Sequence, residues 1–130
     1  MGTRVLIVDE HDGFRAFARV LLEQAGYTVL GEAGDGASAI AAARRLRPEV
    51  VLVDVQLPDV DGFEVARRLC DEDWSPAIEL TSTRDACDYA GRLERSRALG
   101  FLPKQELSDE ALALVLDAHN DRAPDPEGSA

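Results

Sequence analysis

Five short apolar runs punctuate this chain, and the stretches between them carry apolar residues at helical spacing. The runs fall at residues 4–8, 27–33, 50–54, 77–81 and 100–103. Strict alternation of strand and helix requires crossover connections. The strands therefore run parallel in one sheet, with helices on both faces. The third run constrains the fold most. Val50, Val51, Leu52 and Val53 are branched and apolar, as a strand buried on both faces must be, and the run stops on the carboxylate of Asp54. A turn rich in Pro, Gly and Asp follows, Leu57-Pro58-Asp59-Val60-Asp61-Gly62.

The intervening stretches show where helices should start and stop. Phe14, Phe17, Leu21 and Ala25 recur at helical spacing, flanked by Val20 and Leu22, and Gly26 supplies a stop. The turn Gly34-Asp35-Gly36 leads into an alanine-rich helix with Ala39, Ile40, Ala43 and Leu46 towards the core. Arg47-Pro48 ends it, because the residue before a proline disfavours helix. Phe63, Val65, Ala66 and Leu69 make a third helix, closed by Asp71-Glu72-Asp73. Residues 84–98 form a polar fourth helix with few large apolar residues, chiefly Tyr89 and Leu93. Ser108-Asp109-Glu110 caps a fifth, whose core face is Leu112, Val115 and Leu116.

A chain of 130 residues has the length for one such domain, expected over residues 1–122. The Pro/Gly/Ser/acid tail at 123–130 has nothing to bury and is expected to be disordered. The net charge of −11 argues against binding nucleic acid or an anionic membrane through charge alone. Cys70 and Cys87 have neither metal-ligand spacing nor a disulfide framework, which suits reduced thiols. No apolar run has the length of a membrane span or a signal peptide core, so the expected location is the cytoplasm.

In a parallel sheet the carboxyl ends of all strands share one edge, where ligands bind. The first strand delivers Asp9 and Glu10 there, the third Asp54, the fourth Thr81 and the fifth Lys104. The second delivers only Ala33 and Gly34. Three carboxylates side by side repel unless a cation sits among them, and hard oxygen ligands suit Mg²⁺. An ammonium and a hydroxyl complete a pocket for a phosphoryl group, with Asp54 best placed as its acceptor. His11 is read as a helix-start residue, since Mg²⁺ prefers oxygen.

The ordered set Asp9-Glu10, Asp54…Pro58…Gly62, Thr81 and Gly100-Phe101-Leu102-Pro103-Lys104 resembles the response-regulator receiver domains of two-component signalling, over residues 3–122. The resemblance implies a flavodoxin-like three-layer α/β/α fold with five helices and strand order 2-1-3-4-5. It implies that Asp54 accepts a phosphoryl group from a sensor histidine kinase or histidine phosphotransfer protein. Mg²⁺ would be held by Asp9, Glu10, Asp54 and the backbone carbonyl of Gln56. Thr81 and Lys104 would contact the phosphoryl oxygens, while Thr81 and Phe101 would form the switch that alters the surface near the fourth and fifth strands. Such a protein is a regulator, catalysing only its own phosphorylation and dephosphorylation, and its downstream partner is not named by the sequence.

Three positions depart from the family pattern: Glu10 where aspartate is commoner, Phe101 in place of tyrosine, and Gln105 in place of the frequent proline after the lysine. An interaction scaffold working without phosphorylation is the alternative. A phosphohydrolase with an aspartate nucleophile fits less well, because Gln56 stands where a second acid is wanted. A flavin protein fits least, since no Ser/Thr/Gly-rich phosphate loop follows the first strand.

Overall fold

The computed structural model describes residues 2–84, 86–96, 98–108, 110–112 and 114. Five parallel strands build one sheet: β1 (Arg4–Val8), β2 (Thr28–Ala33), β3 (Val50–Asp54), β4 (Ala77–Ser82) and β5 (Gly100–Pro103). Their order is β2-β1-β3-β4-β5, as expected. Between them run α1 (Asp12–Gln24), α2 (Gly36–Leu46), α3 (Gly62–Cys70) and the short α4 (Ala90–Arg95). Residues 110–112 and 114 are helical and open the expected fifth helix. Val115, Leu116 and the tail at 123–130 lie outside the described residues.

Alternation along β1 divides the core into two layers. Leu6 and Val8 join Val51, Val53, Ile78 and Leu80 on one face, under α2 and α3. Val5 and Ile7 join Val50, Leu52 and Leu102 on the other, under Ala18 and Leu22 of α1 and Leu112. Each fully buried Leu or Ile contributes about 1.5–3 kcal/mol of apolar burial. All five residues of β3 are buried, so the acceptor-candidate strand sits at the centre of the sheet. The chain's single tryptophan, Trp74, packs against the first layer from the turn before β4, at the amino edge of the sheet.

Two helices differ from expectation. In α1 the buried residues are Ala18 and Leu22, while Phe17 is 49% exposed and Val20 51%. The stripe that meets the sheet is turned from Phe17 to Ala18, because a small side chain allows close approach to the strands. Gly26 ends this segment with φ +93°, a conformation that L side chains rarely adopt. The single helix expected at 84–98 is instead a 3₁₀ turn (Ala86–Tyr89) followed by the six residues of α4. The reason lies in Tyr89, which turns inward and is 9% exposed, with its hydroxyl 3.1 Å from Ser82 Oγ. A buried hydroxyl needs a partner, and reaching this one interrupts the regular helix.

Candidate functional site

The carboxyl edge of the sheet brings together Asp9, Asp54, Thr81 and Lys104. Val8 pairs with Val53 in register, and Asp54 pairs with Thr81, so the ends of β1, β3 and β4 lie level. Asp9, directly after β1, is fully buried, and Asp54 is 3% exposed. Lys104 begins the 3₁₀ turn that follows β5. Its ammonium lies 2.5 Å from Asp9 Oδ2 and 3.2 Å from Asp54 Oδ2, and 4.4 Å from the centre of the Phe14 ring. One cation therefore bridges two buried carboxylates.

The loop after β3 is held by backbone donors. Gln56 N–H donates to Asp54 Oδ1 at 3.2 Å, and Val55 N–H donates to Thr81 O at 2.8 Å. Asp59 accepts from the N–H groups of Gly36, Ala37 and Val60, which tie the loop to the start of α2 and hold its carboxyl below the usual range. Asp61 caps α3 by accepting from Glu64 N–H at 2.9 Å. Gly62 has a steric role here. A Cβ at that position would stand 2.5 Å from the carbonyl oxygen of Asp54, and Gly62 N–H donates to Val55 O at 2.8 Å. Only glycine lets α3 start pressed against the backbone of β3.

The electrostatics suit a group that meets a second charge. Burial pushes the Asp54 carboxyl above the usual aspartate range. Lys104 draws it back, neighbouring Asp9 raises it again, and the Gln56 N–H lowers it. Asp9 Oδ2 makes no aligned hydrogen bond despite its short ion pair to Lys104. Ligand atoms of Asp9, His11 and Asp54 all lie within 4.8 Å of one another, close enough to share one ion. Buried carboxylate oxygens with spare lone pairs are what a hard divalent cation takes.

Not every expected residue joins this cluster. Glu10 is exposed and stands outside the group of Asp9, His11 and Asp54. His11 stands at the start of α1, as its sequence context suggests, without a side-chain capping hydrogen bond. Its Nδ1 also lies 3.1 Å from Asp9 Oδ1, and its backbone N–H donates to the same oxygen at 2.9 Å. Gln56, expected to offer its backbone carbonyl, is an exposed residue. Thr81 is 1% exposed, level with Asp54. Phe101 is partly buried, with its ring 5.8 Å from that of Tyr89, which in turn lies 5.8 Å from Phe63.

Two features escaped the sequence reading. Arg15 of α1 donates to the backbone carbonyl of Asp9 at 2.5 Å and to Glu32 at 3.0 Å, bracing the loop that presents Asp9. Glu79, in the middle of β4, is fully buried with neither oxygen hydrogen-bonded, and burial lifts its pKa to about 8.

A sheet of this order with an acid–lysine cluster at its carboxyl edge defines a class, and comparison with known proteins gives the family. Residues 5–116 match the family described as response regulator receiver domain, and the chain belongs to that family. It is thus a receiver domain of the two-component response regulators. Among relatives, it is 34% identical over 110 residues to a protein assigned as a transcriptional regulator in Pseudomonas aeruginosa, covering 85% of this chain and 53% of that protein. It is 33% identical over 102 residues to the response regulator GacA of Pseudomonas viridiflava, covering 78% and 48%. The chain thus spans about half the length of these curated relatives. Among solved structures it is similar to the signal receiver domain of the response regulator assigned as NarL in Mycobacterium tuberculosis, with TM-score 0.81, 31% identity, and 93% and 98% of the two chains covered. The chemotaxis response regulator CheY4 of Vibrio cholerae superposes with TM-score 0.80 at 28% identity, over 91% and 98%.

Proposed function

We propose that Asp54 is the phospho-acceptor of this receiver domain and takes its phosphoryl group from a phosphohistidine on a sensor kinase or phosphotransfer protein. The observation that carries this reading is the single ammonium of Lys104 set against both Asp54 and Asp9 at the buried edge of the sheet. In the transfer an Asp54 oxygen bonds to phosphorus as the phosphorus–nitrogen bond breaks, and the imidazole nitrogen recovers a proton. Lys104 leaves its pairing with Asp54 and follows the phosphoryl oxygens, which carry the greater charge. Thr81, level with Asp54, donates its hydroxyl to one of them.

Asp9, Glu10, Asp54 and the backbone carbonyl of Gln56 would hold Mg²⁺, whose chemistry here is to neutralise charge on the transferring oxygens. Exposed Glu10 would join these ligands with its side chain turned inward. The response follows from Thr81: moving it towards the phosphoryl group opens space that Phe101 fills, changing the surface near β4 and β5. The chain acts in the cytoplasm as a regulator, with no reaction beyond its own phosphorylation and dephosphorylation. Among the described residues, no helix is long and apolar enough to cross a membrane. No DNA contact is assigned to this chain.

Incubation with Mg²⁺ and acetyl phosphate, followed by intact mass, tests the acceptor. A single phosphate-sized adduct that disappears in Asp54→Ala is expected. No adduct, or one that persists in the variant, overturns the assignment.

A further inference from the structure

A cleft of about 250 Å³ opens between α3 and α4, lined by Phe63, Arg67, Arg92, Arg95 and Ser96. Three guanidinium groups converge here on a chain whose net charge is −11. The carboxylates nearby do not cancel them. Arg92 reaches Asp61, Arg67 and Arg68 share Glu64, and Asp71 acts on Arg67 through space, so four arginines face three acids. Arg95 has no ion pair with another described residue, and its guanidinium lies over Gly91 instead.

Two of the arginines are fixed in advance. Arg92 stacks over the Phe63 ring with its central carbon 4.2 Å from the ring centre while bonded to Asp61. Arg67 is held by two hydrogen bonds to Glu64, at 3.1 and 2.6 Å. Each keeps N–H donors unused by its internal partner, and little entropy is lost when a ligand takes them. A guanidinium fork matches the oxygens of a phosphate-type group. The volume is at the low end for ligand pockets, which admits a molecule of one ring and excludes a dinucleotide.

We infer that the α3–α4 cleft is a binding site for a small organic anion, a phosphate-type head held by Arg67, Arg92 and Arg95 with its apolar body along Phe63. The site is separate from the Asp54 pocket and does not depend on phosphotransfer. Its ligand would act on the Phe63 end of the ring series that reaches Phe101 through Tyr89.

The test is a titration of the full chain, free of Mg²⁺, with phenylphosphonate and separately with inorganic phosphate, followed by amide NMR shifts. Saturable shifts centred on Phe63, Arg67, Arg92 and Ser96 are expected, with phenylphosphonate bound severalfold tighter than phosphate. Arg95→Ala and Arg67→Ala, both at exposed positions, should each weaken it about tenfold, the loss of one charge-assisted contact. Shifts gathered around Asp54 and Lys104 instead would place binding in the acceptor pocket and overturn the inference. So would unchanged affinity in both variants, or equal affinity for the two probes.

Discussion

Asp54 and Glu79 stand on neighbouring strands, both sealed from solvent, and differ in everything that decides a carboxylate's use. Glu79 pairs in register with Leu52 and Asp54 with Thr81, so Glu79 lies two residues deeper on the same face. Asp54 has an ammonium at 3.2 Å and a backbone donor, and burial and partner pull its affinity for protons in opposite directions. Glu79 has burial alone and sits against Gly100, where a Cβ would come within 3.0 Å of Oε1. The first is a charge kept available at an edge; the second is a proton kept inside a sheet. Burial makes an acid costly, and the partner determines whether it becomes chemistry.

The largest effect that would break this contrast is in the pH dependence of stability. Glu79 is raised from 4.5 to about 8 in the folded chain. The folded state therefore holds one more proton than the unfolded state between those values, and stability falls as pH rises across that window. At 1.36 kcal/mol per unit the loss reaches roughly 4 kcal/mol by pH 8. Glu79→Leu should remove that slope in urea denaturation run across the window. A wild-type curve with the same slope as the variant would mean that Glu79 is not protonated in the fold.

Next in size is Lys104→Met, which leaves Asp9 and Asp54 buried against each other without their cation. Stability at neutral pH in chelator should drop by about 3 kcal/mol. Saturating Mg²⁺ should restore most of it by mass action, whereas it should not rescue an uncharged defect of equal size. Equal stability with and without Mg²⁺ in this variant would disconnect the carboxylates from a metal.

The smallest effect concerns a buried polar pair that is neutral and satisfied. Tyr89→Phe removes the hydroxyl 3.1 Å from Ser82 Oγ and should cost about 1 kcal/mol, with no dependence on pH or Mg²⁺. Thermal melts at two pH values check both halves of that statement.

Much of this molecule is legible before any coordinates. The alternation of strand and helix implies a parallel sheet, the family resemblance supplies its strand order, and a parallel sheet forces the ends of β1, β3, β4 and β5 to one edge. That is why Asp9, Asp54, Thr81 and Lys104 can be grouped from spacing alone. What escapes is decided by contacts that spacing does not encode. In α1, Phe17 and Ala18 are adjacent and both apolar, and only the clearance above the strands selects the smaller. In β4, the sequence Ile78-Glu79-Leu80-Thr81 alternates like a strand with one wet face, yet both faces are covered. The break before α4 follows from a hydroxyl finding Ser82, a partner seven residues away. Glu10 shows a further limit: chain order delivers it to the edge, but it is exposed and stands outside the group of Asp9, His11 and Asp54.

The position of Trp74 has a practical consequence for anyone watching this protein in solution. Its indole sits by the turn entering β4, at the opposite rim from the acid–lysine cluster. Its emission will report loss of the whole core and stay nearly silent to events at Asp54. The optical probe of the site is Tyr89, the middle ring between Phe63 and Phe101, and a background carrying both Trp74→Phe and Tyr27→Phe would make its emission visible.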